Sequence, residues 1–440
     1  MAAHAGASGP RDRRVWRKYL PSFALWVLWL VSRTVLYLIG TVPRFVGDVG
    51  LYQHWYACCL SRHAFPSADP MWQYPPGAGL VLWLPGRLPG SYLDDFTLLA
   101  IGCDLAVTIA LLAASRRGGS RAGAWYWVCG VPVLGSLAVG RLDMIPVMLS
   151  VAALCAAGRG GARGALLAAA AVVKAWPVTL LAGTAPGQWR RVPVAVAAVL
   201  APLAFFPGPT MSFLAHQDAR GVEIESAAAV PFMIWRLAGW HGSLVYEYGA
   251  FQLSGEYAGL ARDASRLGLV LIAAAVTAWC VLTARGRIRW RPEFAADAPL
   301  AVTLLVLVDS PVLSPQYMLW ATGLAAACLA TGRTTQRPVA LAILAADLLT
   351  VLVFPAEWQS LLRGSAMSTG ILAARDALLA AAAAASCWRV LSAARSGGEN
   401  GGQLAGDAAG RTPAAAGPAA TRWPAAERGL TTERDDLRST

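Results

Sequence analysis

Long apolar blocks recur along the chain and are separated by short segments in which Lys and Arg are concentrated. Several blocks reach the length of roughly 20 apolar residues that a helix needs to cross a bilayer core. They lack the polar face that a helix of a soluble protein presents to water, so a large soluble core does not fit the pattern. The pattern therefore predicts an all-α fold, a polytopic bundle of about 11–12 transmembrane helices.

The bounds of the apolar blocks predict where the helices lie. The predicted spans are residues 19–41, 94–114, 122–139, 143–157, 164–184, 192–206, 265–284, 298–308, 315–331, 338–354 and 369–390. The block at 164–184 is interrupted by Lys174-Ala175-Trp176-Pro177, and proline breaks a helix. We expect two short helices there, which form a hairpin with Lys174 at its outer tip. A single continuous span is the alternative.

Two stretches between the blocks, residues 42–93 and 207–262, are predicted to be external loops. The first loop carries two amphipathic segments, at 49–60 and 76–88, which are too short to span the bilayer. Both contain the Trp and Tyr residues that are typical of a membrane interface. With both termini inside, every basic cluster then faces the cytoplasm, as the positive-inside rule requires.

The composition changes at both ends of the chain. Residues 1–18 are predicted to be a basic cytoplasmic N-terminus, and residues 19–394 the transmembrane domain. Residues 395–440 are rich in Gly, Ala and Pro and are predicted to be a disordered cytoplasmic tail. The sequence shows no internal repeat and no soluble domain.

The net charge of +12 changes this picture little. Only 14% of the residues are charged, against about 25% in soluble domains, and the basic clusters lie beside apolar blocks rather than in a nucleic-acid-binding motif. We therefore expect the lipid bilayer, and no nucleic acid, as a partner. The eight cysteines predict neither a disulfide framework nor a metal site.

Ionisable and polar side chains near membrane depth are costly, so they are candidates for function. Those expected near the outer face, where they would converge on one cavity, are Asp48, Tyr74, Arg141, Asp143, Lys174, Glu223, Glu225, Gln316, Tyr317, Arg375 and Asp376. Tyr52 and His54 follow Asp48 in the first outer loop and are expected to support the same site. Arg33 and Asp347 are interpreted as structural partners within the bundle.

Asp48 has two interpretations, which are compatible with each other. It precedes a short amphipathic segment, where an aspartate caps the free backbone N–H groups of a helix. A carboxylate in this position is also suited to deprotonate a hydroxyl group as a general base.

Three further side chains are candidates for a phosphate site. Lys174, in its Pro-broken apolar block, must snorkel to the interface, pair with a carboxylate or bind an anion, and these alternatives stay open. The turn Tyr74-Pro75-Pro76 is rigid, and it either starts an interfacial helix or shapes a site for an acceptor or a lipid phosphate. Arg141 is another cation, although it is close enough in sequence to pair with Asp143.

Several short motifs occur in order along the chain. They are Gly47-Asp48 with Tyr52, Tyr74-Pro75-Pro76, Gly140-Arg141-Leu142-Asp143 with Pro146, Lys174-Ala175-Trp176-Pro177, Arg220-Gly221-Val222-Glu223-Ile224-Glu225-Ser226, Ser314-Pro315-Gln316-Tyr317 with Trp320, and Arg375-Asp376. From the first predicted helix to the last, this order resembles the GT-C membrane glycosyltransferases. It resembles in particular the family 87 glycosyltransferases of actinobacteria, which include polyprenyl-phosphate-mannose-dependent mannosyltransferases. That family often has Gln at the position of Arg141 and Asn at that of Asp376, and both departures bear on the substrate.

The resemblance implies an inverting enzyme that transfers a hexose, most simply mannose, from a polyprenyl-phosphate sugar to a glycan or glycolipid acceptor at the outer face of the plasma membrane. It implies that Asp48 is the catalytic base. The residues that it assigns to the donor phosphate are Lys174, Arg141, Tyr74 and Arg375. Acceptor-binding or supporting roles fall to Tyr52, His54, Asp143, Glu223, Glu225, Gln316 and Tyr317. No cofactor is required for this chemistry, and a divalent cation is an open alternative.

Two other functions stay open at this point. A carrier or flippase for polyprenyl-linked sugars would use the same phosphate-binding lysine without needing Asp48, although such carriers are expected to show repeat symmetry. A non-catalytic membrane subunit is the other alternative. The transferred sugar could also be another hexose or a pentose. The acceptor could be a lipoglycan, a phosphatidylinositol mannoside, a wall polymer or a protein.

Overall fold

The computed structural model of the chain describes residues 10–40, 48–156, 160–191, 197 and 212–409. Its α-helices are α1 (Pro10–Gly40), α2 (Val49–Cys58), α3 (Gly77–Trp83), α4 (Tyr92–Arg116), α5 (Ala122–Leu134), α6 (Ser136–Val139), α7 (Met144–Cys155), α8 (Gly160–Val173), α9 (Ser212–Asp218), α10 (Val230–Leu237), α11 (Ala258–Ala284), α12 (Phe294–Asp309), α13 (Met318–Ala330), α14 (Arg337–Val351), α15 (Trp358–Leu362) and α16 (Ala366–Ala409). Turns of 3₁₀-helix occur at Leu60–Arg62, Pro85–Arg87, Trp176–Gly183, Pro186–Arg191, Ala227–Ala229 and Pro315–Tyr317. Apart from residue 197, the predicted helix at 192–206 lies outside the described residues, as do residues 410–440 of the predicted tail.

Several of these helices are able to cross a bilayer. Within the described ranges, five segments are long and apolar enough to do so, namely Ser22–Ile39, Tyr92–Arg116, Ala258–Ala284, Arg337–Ala356 and Ala366–Arg395. Shorter apolar helices pack between them, among them α5, α7 and α8. The chain is therefore an all-α, polytopic membrane bundle, as the apolar pattern predicts.

Interruptions in the predicted spans coincide with glycine and proline. The predicted helix at 122–139 is divided into α5 and α6 at Gly135, which has a positive φ of 58°. The block at 164–184 is also broken where Pro177 predicts it, because α8 ends at Val173 and Lys174 follows it. Its second half, Trp176–Gly183, is a 3₁₀-helix rather than the expected α-helix. At the other end of the chain, α16 continues to Ala409, beyond the predicted start of the tail at residue 395.

Helix α13 forms the centre of the bundle, and every one of its residues is buried. Such a helix must be apolar on all sides, which the sequence of α13 satisfies with Ala, Leu and Gly. It packs against α5, α7, α12 and α14. Small residues allow the close approach of α5, since a Cβ atom added at Gly123 would lie 2.3 Å from the carbonyl oxygen of Ala326.

Helix α11 lies at the other extreme of burial. Its buried residues are Ala258, Ser265 and Thr283, whereas large apolar side chains such as Leu267 and Val270 are more than half exposed. An apolar helix with an exposed apolar face requires lipid around it. Helix α11 is therefore on the lipid-facing surface of the bundle.

A fully buried ion pair ties α1 to α4. The Nε and Nη2 atoms of Arg33 donate to the two carboxylate oxygens of Asp104 at 2.9 and 2.8 Å, and Nη1 donates to the Val128 carbonyl at 2.9 Å. Asp347 instead accepts a hydrogen bond from Thr322 at 2.7 Å. The expectation that Arg33 and Asp347 are partners was therefore wrong, although both are structural.

The predicted second outer loop contains a β-hairpin that the all-α prediction missed. Strands β1 (Ser243–Glu247) and β2 (Ala250–Ser254) pair antiparallel, with Ser243 opposite Ser254 and Glu247 opposite Ala250. The two-residue turn, Tyr248-Gly249, has positive φ values of 53° and 81°, as a tight hairpin requires.

Another difference concerns the cysteines of the first outer loop. Cys58 and Cys59 are bonded to each other as a disulfide, where the sequence predicted no disulfide framework. The two residues are adjacent in the chain, so this bond does not cross-link distant parts of the fold.

Candidate active site

A cavity of about 1250 Å³ lies between the two predicted outer loops, the Lys174 break and helices α11 and α12. One end of the cavity is polar and the other is apolar. The polar end is lined by Asp48, Gln73, Tyr74, Arg141, Lys174, Gln217, Arg220, Glu223, Glu225, Gln316 and Tyr317. This combination is typical of a site for a ligand that is polar at one end and apolar at the other.

Asp48 is ion-paired with Arg141. The pair joins the start of α2 to the Gly140–Asp143 loop, and the Asp48 Oδ1 atom contacts the guanidinium. The other carboxylate oxygen, Oδ2, has a long contact of 3.5 Å with the Tyr52 hydroxyl. Asp48 does occupy the N-cap position of α2, but its side chain makes no capping hydrogen bond. The capping interpretation therefore does not explain this aspartate.

Two tyrosines extend from Asp48 into the protein. The hydroxyls of Tyr52 and Tyr74 are 3.2 Å apart, and the Tyr52 hydroxyl also accepts a hydrogen bond of 3.4 Å from the Leu142 backbone N–H. Burial raises the pKa of Tyr74 to about 12, and the nearby Asp48 carboxylate adds to the rise. Tyr74 is therefore a neutral hydrogen-bonding group at physiological pH.

The turn that carries Tyr74 is fixed against the end of α8. A Cβ atom at Gly77 would lie 2.6 Å from the Val172 carbonyl oxygen, so only glycine allows the turn to approach α8 this closely. Because Lys174 comes two residues after Val172, this contact places the Tyr74 ring near the lysine. The Lys174 Nζ atom is 5.8 Å from the centre of that ring.

Lys174 pairs with a carboxylate, which is one of the alternatives that the sequence left open. Its Nζ atom is 2.6 Å from Asp143 Oδ1, and the same oxygen accepts a hydrogen bond of 2.6 Å from the Trp320 indole. The lysine also lies 4.6 Å from the Tyr317 ring centre and 5.1 Å from that of Trp320, as in cation–π contacts. Asp143 thus pairs with Lys174 and not with Arg141, which corrects the pairing suggested by their closeness in sequence.

Hydrogen bonds around Gln73 join the two predicted outer loops. Its side-chain oxygen accepts from Arg220 at 2.8 Å, and its backbone carbonyl accepts from Gln217 at 3.0 Å. Its side-chain amide donates to the Tyr248 carbonyl of the hairpin at 3.3 Å. The loops consequently form one wall of the cavity rather than two independent lids.

The segment Arg220–Ser226 carries Glu223 and Glu225 into this wall. The Glu223 N–H donates to the Pro311 carbonyl at 2.8 Å, and the Ile224 N–H donates to the Phe251 carbonyl of β2 at 3.0 Å. Val222 and Ile224 pack in an apolar cluster, while both glutamates line the cavity. The apolar residues of this segment therefore anchor it in the protein, and the alternating glutamates lie at the cavity.

The two glutamates are buried and influence each other. Burial raises the pKa of Glu223, and the Arg220 guanidinium partly offsets this effect. Burial also raises the pKa of Glu225 well above its usual range, and the neighbouring Glu223 raises it further. The Ser314 hydroxyl donates to the Glu223 carboxylate at 3.2 Å.

Helices α11 and α12 form the apolar end of the cavity. The lining residues of α11 are Leu269, Ile272, Ala273, Val276, Thr277, Cys280, Val281 and Ala284. Their spacing of three or four residues places them on one stripe of the helix. The apolar end of the cavity is thus lined by a helix that also faces lipid.

Most of the predicted site residues converge on this cavity. Those that line it are Asp48, Tyr74, Arg141, Lys174, Glu223, Glu225, Gln316 and Tyr317. Tyr52 and Asp143 lie behind the wall and hydrogen-bond to residues of the site. His54 is exposed and is not part of the lining. Arg375, expected at the donor phosphate, is fully buried outside the lining, where it contacts Asp376 and donates to the Glu225 carbonyl.

Several lining residues were not assigned to the site from the sequence. They are Gln73, Trp176, Gln217, Tyr246, Tyr248 and Trp358. Trp176 stacks on Trp320, with ring centres 5.0 Å apart, and Trp320 stacks on Tyr317 at 4.0 Å. A sequence signal existed for Trp176 because it belongs to the helix-breaking motif, whereas the hairpin tyrosines gave none.

The described residues contain no group of three or more His, Cys, Asp or Glu side chains that could hold a metal ion.

Comparison with known protein families bears on the chemistry of this cavity. The model of glycosyltransferase family 87 matches residues 72–315, which is more than half of the chain. The chain belongs to glycosyltransferase family 87. It is therefore a membrane glycosyltransferase, and family membership favours transfer chemistry over the carrier alternative. No match was found among curated proteins or among solved structures.

The matched range covers the Tyr74 turn, the Arg141 loop, Lys174 and the two glutamates. Asp48 precedes it, and Gln316 and Tyr317 come directly after it. The roles of these three residues therefore rest on their positions in the cavity.

Proposed function

We propose that this glycosyltransferase transfers a hexose, most simply mannose, from a polyprenyl-phosphate sugar to a glycan or glycolipid acceptor at the outer face of the plasma membrane. The observation that carries the proposal is the form of the cavity, which joins an apolar stripe on the lipid-facing helix α11 to a polar end with Asp48, Arg141 and Lys174. A lipid-linked donor has the same two-part character. The alternative of an activated nucleotide donor would need a nucleotide-binding fold, and the sequence has no such fingerprint.

In the proposed reaction, the acceptor hydroxyl oxygen bonds to the anomeric carbon of the sugar as the bond from that carbon to the phosphate oxygen breaks. The polyprenyl phosphate leaves with the bonding electron pair, and the acceptor proton passes to Asp48. Arg141 holds Oδ1 of Asp48, whereas Oδ2 has, among the residues that the structure describes, only its 3.5 Å contact to Tyr52. Oδ2 is therefore the atom we assign as the base.

Lys174 is proposed to stabilise the charge of the departing phosphate. Its ammonium is held in place by Asp143 and by the Tyr317 and Trp320 rings, so little reorganisation is needed when a phosphate arrives. Tyr74, a neutral hydroxyl between Asp48 and Lys174, is placed to donate a hydrogen bond to the same ligand.

The proposal is tested by transfer from a defined donor. Membranes that contain the protein are incubated with radiolabelled polyprenyl-phosphate-mannose or with radiolabelled nucleotide-mannose, and the labelled product is identified. We expect label in a glycan or glycolipid with the first donor only. If protein-dependent label appears only with the nucleotide donor, the proposal is contradicted.

The side of the membrane is tested separately. Cysteine substitutions at Ser67 and Ser212, in the two predicted outer loops, are expected to react with a membrane-impermeant thiol reagent in intact cells. Labelling only after the membrane is permeabilised would place the cavity on the other side.

A further inference from the structure

Two buried side-chain oxygen atoms of the polar wall have no hydrogen-bond donor among the residues that the structure describes. They are Oε1 of Glu225 and Oε1 of Gln316. Glu225 is 3% exposed and Gln316 is 7% exposed, and both side chains line the cavity. Folded proteins pair the great majority of their buried polar atoms. Unpaired acceptors on side chains that line a cavity therefore indicate where a ligand donates hydrogen bonds.

The two acceptors belong to neighbouring segments. The hydrogen bond from Ser314 to Glu223 joins these segments at 3.2 Å. Glu225 follows Glu223 by two residues, and Gln316 follows Ser314 by two residues, so each acceptor belongs to a residue two positions from this bond.

The positions of both segments are fixed by other contacts. Arg375, from α16, donates to the Glu225 carbonyl, and the Glu223 N–H donates to Pro311 at 2.8 Å. Gln316 lies in a 3₁₀ turn between Ser314 and α13. The acceptor atoms are therefore held ready before a ligand binds, which reduces the entropy lost on binding.

The chemistry of the two atoms defines the ligand group. A carboxyl group keeps an acceptor oxygen in either protonation state, and the Gln316 Oε1 atom only accepts. Their ligand must carry O–H or N–H donors. A phosphate would be disfavoured beside two glutamates, and the proposed phosphate residue, Lys174, lies elsewhere in the wall. A neutral sugar ring has the required hydroxyl donors.

The location of Gln316 indicates that this ring is the transferred sugar rather than a sugar of the acceptor. Its neighbour Tyr317 has its ring centre 4.6 Å from Lys174 Nζ, so Gln316 is next to the proposed phosphate position. In a polyprenyl-phosphate sugar, the transferred ring is bonded directly to the phosphate. The transferred sugar is therefore nearer to Gln316 than an acceptor that approaches from the side of Asp48.

We propose that Glu225 and Gln316 form a subsite that accepts hydrogen bonds from hydroxyl groups of the transferred sugar and thereby selects the donor by its sugar. This inference rests on the proposed polyprenyl-phosphate donor and adds to it the residues that bind the sugar ring. Arg375 acts as a positioning residue, because it holds the Glu225 segment from outside the cavity lining. Ser314 joins the two segments through its hydrogen bond to Glu223.

Equilibrium binding to the purified full-length protein in lipid nanodiscs tests the subsite. The two probes are radiolabelled polyprenyl-phosphate-mannose and radiolabelled polyprenyl phosphate, which differ only in the sugar. The variants are Glu225→Gln and Gln316→Leu. Their matched controls are Glu256→Gln and Gln359→Leu, which make the same changes at exposed positions outside the cavity lining. Lys174→Ala serves as the reference for a lost phosphate contact.

We expect each subsite variant to weaken the binding of polyprenyl-phosphate-mannose by about 10-fold or more, as for a lost hydrogen bond to a buried group. The binding of polyprenyl phosphate should stay within about twofold, since the phosphate contacts are intact. This second probe also shows that the variants are folded. Lys174→Ala should weaken both probes, and the control variants neither.

The outcomes separate the subsite from the proposed donor. If the subsite variants weaken both probes equally, or neither, the subsite is wrong while the polyprenyl-phosphate donor stands. If the wild-type protein binds neither probe, the proposed donor is wrong, and the subsite with it.

Discussion

The ion pairs Arg33–Asp104 and Arg141–Asp48 join the same two residue types but in different surroundings. In the first, the side chains are 2% and 1% exposed, and three guanidinium nitrogens and both carboxylate oxygens are hydrogen-bonded. In the second pair, the Arg141 side chain is 13% exposed and the Asp48 side chain 31% exposed, and both line the cavity. Among the described residues, Oδ2 of Asp48 has only a long contact with the Tyr52 hydroxyl. We call them the sealed pair and the open pair.

The difference teaches how to tell a structural charge from a functional one in this bundle. Charge at membrane depth is costly wherever it occurs, so cost alone does not indicate function. In the sealed pair, hydrogen bonds to the guanidinium and to both carboxylate oxygens offset the cost of burying the two charges. In the open pair, Oδ2 of Asp48 is held only by the long Tyr52 contact, so a ligand in the cavity can reach it. Incomplete partnering, rather than burial, marks the functional group.

Breaking the sealed pair should affect stability most. Asp104→Ala leaves the Arg33 guanidinium buried with only part of its partners, and we expect a loss of about 3–5 kcal/mol in the free energy of unfolding. Titration with SDS, followed by fluorescence, measures this loss. The matched control is Asp218→Ala, which breaks the exposed pair with Arg266 and should cost no more than about 1 kcal/mol. Equal losses in the two variants would contradict the distinction.

Removing the Lys174 ammonium from the polar end of the cavity should weaken donor binding. Lys174→Ala is expected to weaken the donor by about 10- to 100-fold, and Lys174→Arg by less, because charge rather than a forked geometry is required. Donor dependence of the transfer rate measures the change, with Arg62→Ala, an exposed cation of the first outer loop, as the control. An unchanged donor dependence in Lys174→Ala would reduce its role to pairing with Asp143.

Filling the apolar end should have a smaller effect that depends on chain length. Ala273 lies on the cavity stripe of α11, so Ala273→Trp is expected to reduce transfer from a long-chain donor by about 3- to 10-fold and to spare a donor with a short prenyl chain. Leu271→Trp is the control, because Leu271 is 60% exposed and is not part of the lining. The same loss with both chain lengths would argue against a prenyl groove.

The smallest effect is expected at His54. The sequence suggested a supporting role, but this side chain is exposed outside the lining of the cavity. Transfer rates of His54→Ala should stay within about twofold of the wild type, as for most surface substitutions. A larger loss would show that the site extends beyond the cavity wall.

Local features of the fold were predictable from the sequence. Helix α4, Tyr92–Arg116, lies within two residues of the predicted span at 94–114, because an apolar block bounded by a serine N-cap and an arginine pair is a local signal. The break at Lys174 was predictable for the same reason, since Pro177 acts on its immediate neighbours.

Features that depend on distant residues were not predictable. Pairing Asp143 with Lys174 and Asp48 with Arg141 requires the spatial arrangement of four separate segments, and closeness in sequence suggested the wrong partner. The hairpin was missed because its strands are only five residues each and lie in a loop. Its local signal was the alternation of Phe251, Gln252 and Leu253 after the Tyr248-Gly249 turn, and this signal is weak beside the apolar blocks.

The central claim, that the open pair supplies the base, is tested most directly by single-turnover transfer with donor-saturated Asp48→Asn. Asn keeps the size of the side chain and an oxygen for Arg141 but cannot take a proton. We predict that the variant binds polyprenyl-phosphate-mannose as the wild type does and transfers its sugar about 10²- to 10⁴-fold more slowly. Asp263→Asn, at an exposed carboxylate, should transfer at the wild-type rate. A rate for Asp48→Asn close to that of the wild type would contradict the account and move the search for the base to Glu223, Glu225 or Asp143.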